Sequence, residues 1–74
     1  MPKLPRISGK KAKNVFEKLG FKMVRQKGSH IVMRKGNCGC VIPLHKSLAI
    51  GTLKSMIKQA GLENEEFIEA YRDL

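Results

Sequence analysis

Between Phe21 and Pro43 the chain runs in three short alternating segments, Phe21 to Lys27, Ser29 to Lys35 and Cys38 to Ile42. They are punctuated by Gly28 and by Gly36-Asn37, and Pro43 stops the last. A period of two marks extended chain, and glycine-bearing links this short join neighbouring strands as hairpins, so a three-stranded antiparallel meander is expected. On the first segment Phe21, Met23 and Arg25 are expected on one side and Lys22, Val24 and Gln26 on the other. On the second, Ile31 and Met33 oppose His30, Val32 and Arg34.

What flanks the meander reads as helix. Residues 1–7 are expected to be an extended arm tied down by Leu4 and Ile7. Ser8 then caps a helix whose Ala12, Val15, Phe16 and Leu19 fall at i, i+3, i+4 and i+7 before Gly20. Leu44 to Ala49 form a connector. Gly51-Thr52 open a second helix with Leu53, Met56, Ile57 and Ala60 on one face, ended by Gly61. Asn64 is expected to cap a short last helix, with Glu65 and Glu66 in its first turn and Phe67, Ile68 and Tyr71 on its apolar side. The expected fold class is α+β, a single domain over 1–74: helix, three-stranded antiparallel sheet, helix and short C-terminal helix, with the helices on one face of the sheet. Double-stranded RNA-binding domains use the same layout. At this length only about 60% of the unfolded chain's surface can be buried, so the core is small and a deep pocket is not expected.

Charge narrows the function. Fifteen Lys and Arg stand against six Asp and Glu, and five of the acids (Glu63, Glu65, Glu66, Glu69 and Asp73) follow Leu62. The rest of the chain is more basic than the total suggests, which favours a polyanionic partner such as nucleic acid over a membrane. The start Met1-Pro2-Lys3-Leu4-Pro5-Arg6 has no apolar core and no run approaches a membrane span, so a cytoplasmic protein is expected. Cys38 and Cys40, one glycine apart, suit neither an unstrained disulfide nor the usual zinc knuckle, and are expected as reduced thiols of the third strand.

In Lys27-Gly28-Ser29-His30-Ile31-Val32-Met33 a glycine turn delivers a histidine onto the start of a strand. Since Ile31 and Met33 are expected to face the helices, His30 is expected on the open face with Arg34. An imidazole exchanges protons near neutral pH, and RNA can be cut without a metal because its own 2′-hydroxyl attacks the adjacent phosphate.

Four pieces in order strengthen this reading: Ile7-Ser8-Gly9-Lys10 leading into Leu19-Gly20-Phe21; Gln26-Lys27-Gly28-Ser29-His30; Val41-Ile42-Pro43-Leu44-His45-Lys46; and the segment from Ile50-Gly51-Thr52-Leu53-Lys54 to Gln59-Ala60-Gly61-Leu62. Over about residues 7–71 the chain resembles the HicA toxins, also called YcfA-like proteins, of toxin–antitoxin pairs. The resemblance implies a double-stranded RNA-binding-like fold, cleavage of mRNA as an endoribonuclease without metal or other cofactor, and neutralisation by a HicB-type antitoxin. The family's functional histidine falls on His30, and the histidine after the proline of its third strand falls on His45. The chain departs from the family in Cys38-Gly39-Cys40 and in Ser47, where an acidic residue is common.

On this reading His30 serves as general base or general acid, with His45, Lys46 or water as second proton carrier. Lys27, Arg25 and Arg34 steady the phosphate, and Ser29 and Lys46 are expected RNA contacts beside the histidines. Lys10, Lys11, Lys54, Lys58 and Thr52 at the start of the second helix bind the RNA backbone. No aromatic residue is expected on the open face, which argues against base stacking on rings. Three alternatives remain: a double-stranded RNA-binding module without catalysis, a small zinc site built from His30, Cys38, Cys40 and His45, and an interaction protein acting through its antitoxin complex.

Overall fold

The computed structural model describes residues 3–74. Helix α1 (Gly9–Lys18) leads into strands β1 (Lys22–Lys27), β2 (His30–Lys35) and β3 (Cys38–Pro43), followed by helices α2 (Ile50–Gln59) and α3 (Asn64–Arg72). The strands form one antiparallel sheet in the order β1-β2-β3, the expected meander. Gly28 and Gly36 take positive φ in the two hairpin turns, where a Cβ would be strained.

One face of the sheet is covered by the helices. Ile31 and Met33 of β2 and Cys40 and Ile42 of β3 point into the core, where they meet Phe16 of α1, Leu53 and Ile57 of α2 and Phe67 of α3. Phe16 is the hub. Its ring stands edge-on to Phe21 and tilted against Phe67, each with centroids 5.4 Å apart, an arrangement that adds to simple burial. Of the N-terminal arm, Ile7 is buried and Leu4 packs against the core, while Met1 and Pro2 lie outside the described residues.

Three local expectations are corrected. Strict alternation in the first strand fails because Met23 pairs with Met33 and Arg25 with the next residue, Val32, so Val24 is the extra residue of a β-bulge. The bulge reverses the phase of everything after it, moving Arg25 off the side of Met23 and onto the open face. The second helix begins one residue earlier than expected, at Ile50 with Ala49 as its cap, and Gly51 and Thr52 lie in its first turn. The last helix is capped by Glu63, not Asn64: the Glu66 carboxylate accepts the Glu63 backbone N–H at 2.9 Å, and that reciprocal reach outcompetes a lone asparagine one residue later. The first helix matches expectation, with the Ser8 hydroxyl accepting from the Lys11 N–H at 3.1 Å. Among the described residues no helix is long and apolar enough to cross a membrane.

Candidate functional site

Residues directly opposite each other on antiparallel strands share a face, so the pairings define the open side of the sheet. Three rows cross it: Lys27, His30 and Pro43; Arg25, Val32 and Val41; Lys22, Arg34 and Gly39. Five of these nine are Lys, Arg or His, and residues 22–43 contain no Asp or Glu. The open face is therefore a cationic field with a short apolar strip in its middle row.

His30 is solvent-exposed at the start of β2, as the Gly28-Ser29 turn predicts. It stands at the end of the sheet where three chain segments are laced together by backbone hydrogen bonds. Leu44 donates to the Ser29 carbonyl at 2.7 Å, Gly9 donates to the His45 carbonyl at 2.9 Å, and Leu48 donates to the Ile7 carbonyl at 2.8 Å. The β1–β2 turn, the connector between β3 and α2, and the start of α1 thus form one fixed edge. His30 and His45 belong to the two adjacent segments of that edge, with the exposed Lys46 next in sequence. A pair of imidazole-bearing segments held side by side has the composition that proton transfer to and from a phosphodiester requires.

Gly9 is essential to this lacing, a role that sequence reasoning misses. A Cβ there would overlap the Pro43 carbonyl oxygen and come within 2.9 Å of the Leu44 Cα. Only glycine lets α1 approach the connector this closely. The glycine is visible in Ile7-Ser8-Gly9-Lys10, but its partner 34 positions away in the chain is not.

The other predicted RNA contacts separate into groups. Lys10 and Lys11 occupy the first turn of α1, beside the laced edge, and Ser29 and Lys46 lie within it. Arg25, Lys27 and Arg34 share the open face with His30. Thr52 is exposed in the first turn of α2. Lys54 and Lys58 sit apart from the sheet, in a groove shared with Glu63 and Glu65 at the start of α3, so these lysines face a mixed charge rather than a purely basic surface.

A second groove of about 440 Å³ lies across β2 and β3 toward their connecting turn and beside the end of α2, lined by Val32, Arg34, Asn37, Gly39, Val41 and Gln59 among others. Asn37 and Gln59 reach it from the β2–β3 turn and the end of α2, a convergence that no local pattern in the sequence announces.

The four residues of the zinc alternative do not converge. Cys38 pairs with Lys35 and His30 with Pro43, at opposite ends of β3 and about 16 Å apart at the rise of an extended strand. Cys40 faces the core, where burial pushes its thiol up to about 11. Both thiols are free, and among the described residues no group of three or more His, Cys, Asp or Glu gathers where it would hold a metal ion. The three phenylalanines are buried and Tyr71 packs against the core, leaving the open face without aromatic rings.

Residues 9–62 match the family model described as the HicA toxin of bacterial toxin–antitoxin systems. Among curated proteins no match is found.

Proposed function

The chain belongs to the HicA toxin family, the toxin half of a toxin–antitoxin pair, and from that premise we propose that it is a metal-independent endoribonuclease that cleaves mRNA with His30 at its centre. The observation that carries this reading is the position of His30: exposed, on a basic face without a carboxylate, and beside the segment that bears His45.

The reaction uses the substrate's own nucleophile. The 2′-oxygen attacks the neighbouring phosphorus, the bond from phosphorus to the 5′-oxygen breaks, and the products are a 2′,3′-cyclic phosphate and a free 5′-hydroxyl. One proton leaves the 2′-oxygen and one arrives at the departing 5′-oxygen. His30 carries one of these transfers, and His45, Lys46 or water carries the other. Lys27, Arg25 and Arg34 supply positive charge to the pentavalent phosphorane, which bears more negative charge than the ground state. Lys10, Lys11 and Lys46 hold the flanking backbone, with Thr52, Lys54 and Lys58 extending the contact along α2. A HicB-type antitoxin silences the toxin by presenting acidic groups to the same face.

The test is cleavage of a defined RNA in excess chelator by the native chain and by His30→Ala, with analysis of the new ends. Loss of roughly 10²–10⁴-fold in rate on losing the imidazole, in a protein that stays folded, is expected of a general acid or base. Native-like turnover by His30→Ala would refute its role. RNA binding without cleavage by either protein would instead favour a non-catalytic double-stranded RNA-binding module.

A further inference from the structure

We propose that the groove across β2 and β3 is a nucleobase subsite, which takes the base of one unpaired nucleotide next to the scissile phosphate. The proposal rests on the ribonuclease reading above and gives it a source of sequence preference.

The floor of the groove is apolar on a face that is otherwise cationic. Val32 and Val41 pair directly across β2 and β3, and Val41 remains 44% exposed. Two arginines neighbour this floor, Arg34 among the lining residues and Arg25 beside Val32 just outside them. Arg25 pairs with Val32 from β1, and Arg34 pairs with Gly39 in the neighbouring row. The glycine matters because a Cβ there would come within 3.2 Å of the Arg34 Cγ and 2.8 Å of the Met33 carbonyl oxygen, so the stem of Arg34 lies against bare backbone. A guanidinium is planar, stacks on base faces and contacts phosphate, and together with an apolar floor it substitutes for the missing aromatic rings.

The rim supplies groups that read a base edge. Asn37 and Gln59 line the groove, and a side-chain amide offers both a donor and an acceptor, matching the paired donors and acceptors on nucleobases. No carboxylate is among the lining residues, which suits a ligand tethered to phosphates. The floor lies two residues along each strand from the row of His30, roughly 6.6 Å, a step comparable with that from one nucleotide to the next in an extended strand. A base seated on Val32 and Val41 would therefore leave its neighbouring phosphate at His30. The volume of about 440 Å³ falls within the range of small-molecule sites, and the groove is shallow, as a site for a base on a continuous strand must be.

The experiment is an abasic scan. Short 2′-O-methyl oligoribonucleotides, which lack the attacking hydroxyl, carry one missing base at successive positions, and their binding to the native chain is read by fluorescence anisotropy at fixed salt. One position should lose about tenfold in affinity, within the range that a stacked base contributes. In Gln59→Ala and in Val41→Asp that position should lose its special sensitivity; Gln59 lies on an exposed helix end, so its variant tests the site even if Val41→Asp fails to fold. Equal binding at every abasic position, or a sensitive position unchanged in both variants, overturns the subsite. So does loss of antitoxin binding in these variants with an unaltered abasic scan, which would assign the groove to a protein strand. Cleavage by the native chain and not by His30→Ala, together with a flat scan, removes the subsite and leaves the ribonuclease; a chain that neither binds nor cuts RNA removes both.

Discussion

Replacing Gly9 by alanine tests the claim that the edge bearing both histidines is held by backbone contact. The new methyl group would overlap the Pro43 carbonyl oxygen, and two backbone atoms, Leu44 Cα and Pro43 C, would lie 2.9 Å away. Backbone cannot rotate aside as the end of a side chain can. Forced overpacking costs about 1–3 kcal/mol, and the displaced helix start also loses the Gly9 to His45 bond, worth about 0.5–1.5 kcal/mol. Against this, alanine gains up to about 1 kcal/mol over glycine in a helix. The overlap puts the steric cost at its upper end, so the expected net loss is about 2.5–3.5 kcal/mol. A chain of this length has roughly 4–11 kcal/mol in total, so the change is a large fraction of it. Urea unfolding should show a lower midpoint at unchanged slope, and Tm should fall by at least about 8 °C. Gly51→Ala is the matched control: it is also in the first turn of a helix, but its Cβ meets nothing within 4 Å, so it should be neutral or stabilising by up to about 1 kcal/mol. If Gly9→Ala falls within about 0.5 kcal/mol of the native chain, α1 is not locked to the connector by backbone contact.

Removing Lys10 or Lys11 should lower the magnitude of the salt slope of single-stranded RNA binding by about 0.7 for each phosphate no longer neutralised, while Lys22→Ala, at the far end of the open face, should change it less; slopes equal to the native chain's in both α1 variants would show that the first turn of α1 holds no phosphate. Burial raises the Cys40 thiol from its ordinary value of 9.0 to about 11, so between these values the unfolded chain has released a proton that the folded chain keeps. Stability contributed by this group is intact below pH 9 and falls as pH rises, by about 2–3 kcal/mol in full. The stability difference between the native chain and Cys40→Ala should narrow over that interval, and a constant difference would contradict a thiol raised by burial. In the folded protein a thiol reagent should label Cys38 alone.

Most of the architecture is legible because it is written in local signals. Gly28 and Gly36 mark turns that need positive φ, Ser8 marks a helix start, and the apolar spacing of Ala12, Val15 and Phe16 or of Leu53, Met56 and Ile57 sets the buried faces. His30 is legible for the same reason, since its face follows from Ile31 and Met33 being buried. What cannot be read depends on pairs distant in sequence. Gly9 has meaning only against Pro43, and Asn37 and Gln59 become neighbours only when α2 packs on β3. The cap of α3 eludes sequence reading because asparagine is the better single-residue cap, whereas Glu63 and Glu66 act as a pair.

The bulge at Val24 is equally hidden from periodicity, and removing it has a predictable outcome. Alternation puts Arg25 with Met23, yet the pairings place Arg25 with Val32 on the open face and Met23 with the buried Met33. One extra residue has reversed the phase, so deletion of Val24 should restore ordinary alternation without moving any other pairing. Met23 would still face Met33, and Arg25 and Lys27 would stay beside Val32 and His30. Val24 is 57% exposed and contributes little to the core, so the deletion should be tolerated, with RNA binding and cleavage kept. The cost should appear elsewhere. β1 is an edge strand, and a bulge twists such an edge away from pairing with another copy. The shortened chain should therefore self-associate at concentrations where the native chain is monomeric, seen by sedimentation. Loss of the fold, or loss of RNA binding in a folded monomer, would mean that the face of Arg25 and Lys27 is set by something other than the register drawn through the bulge.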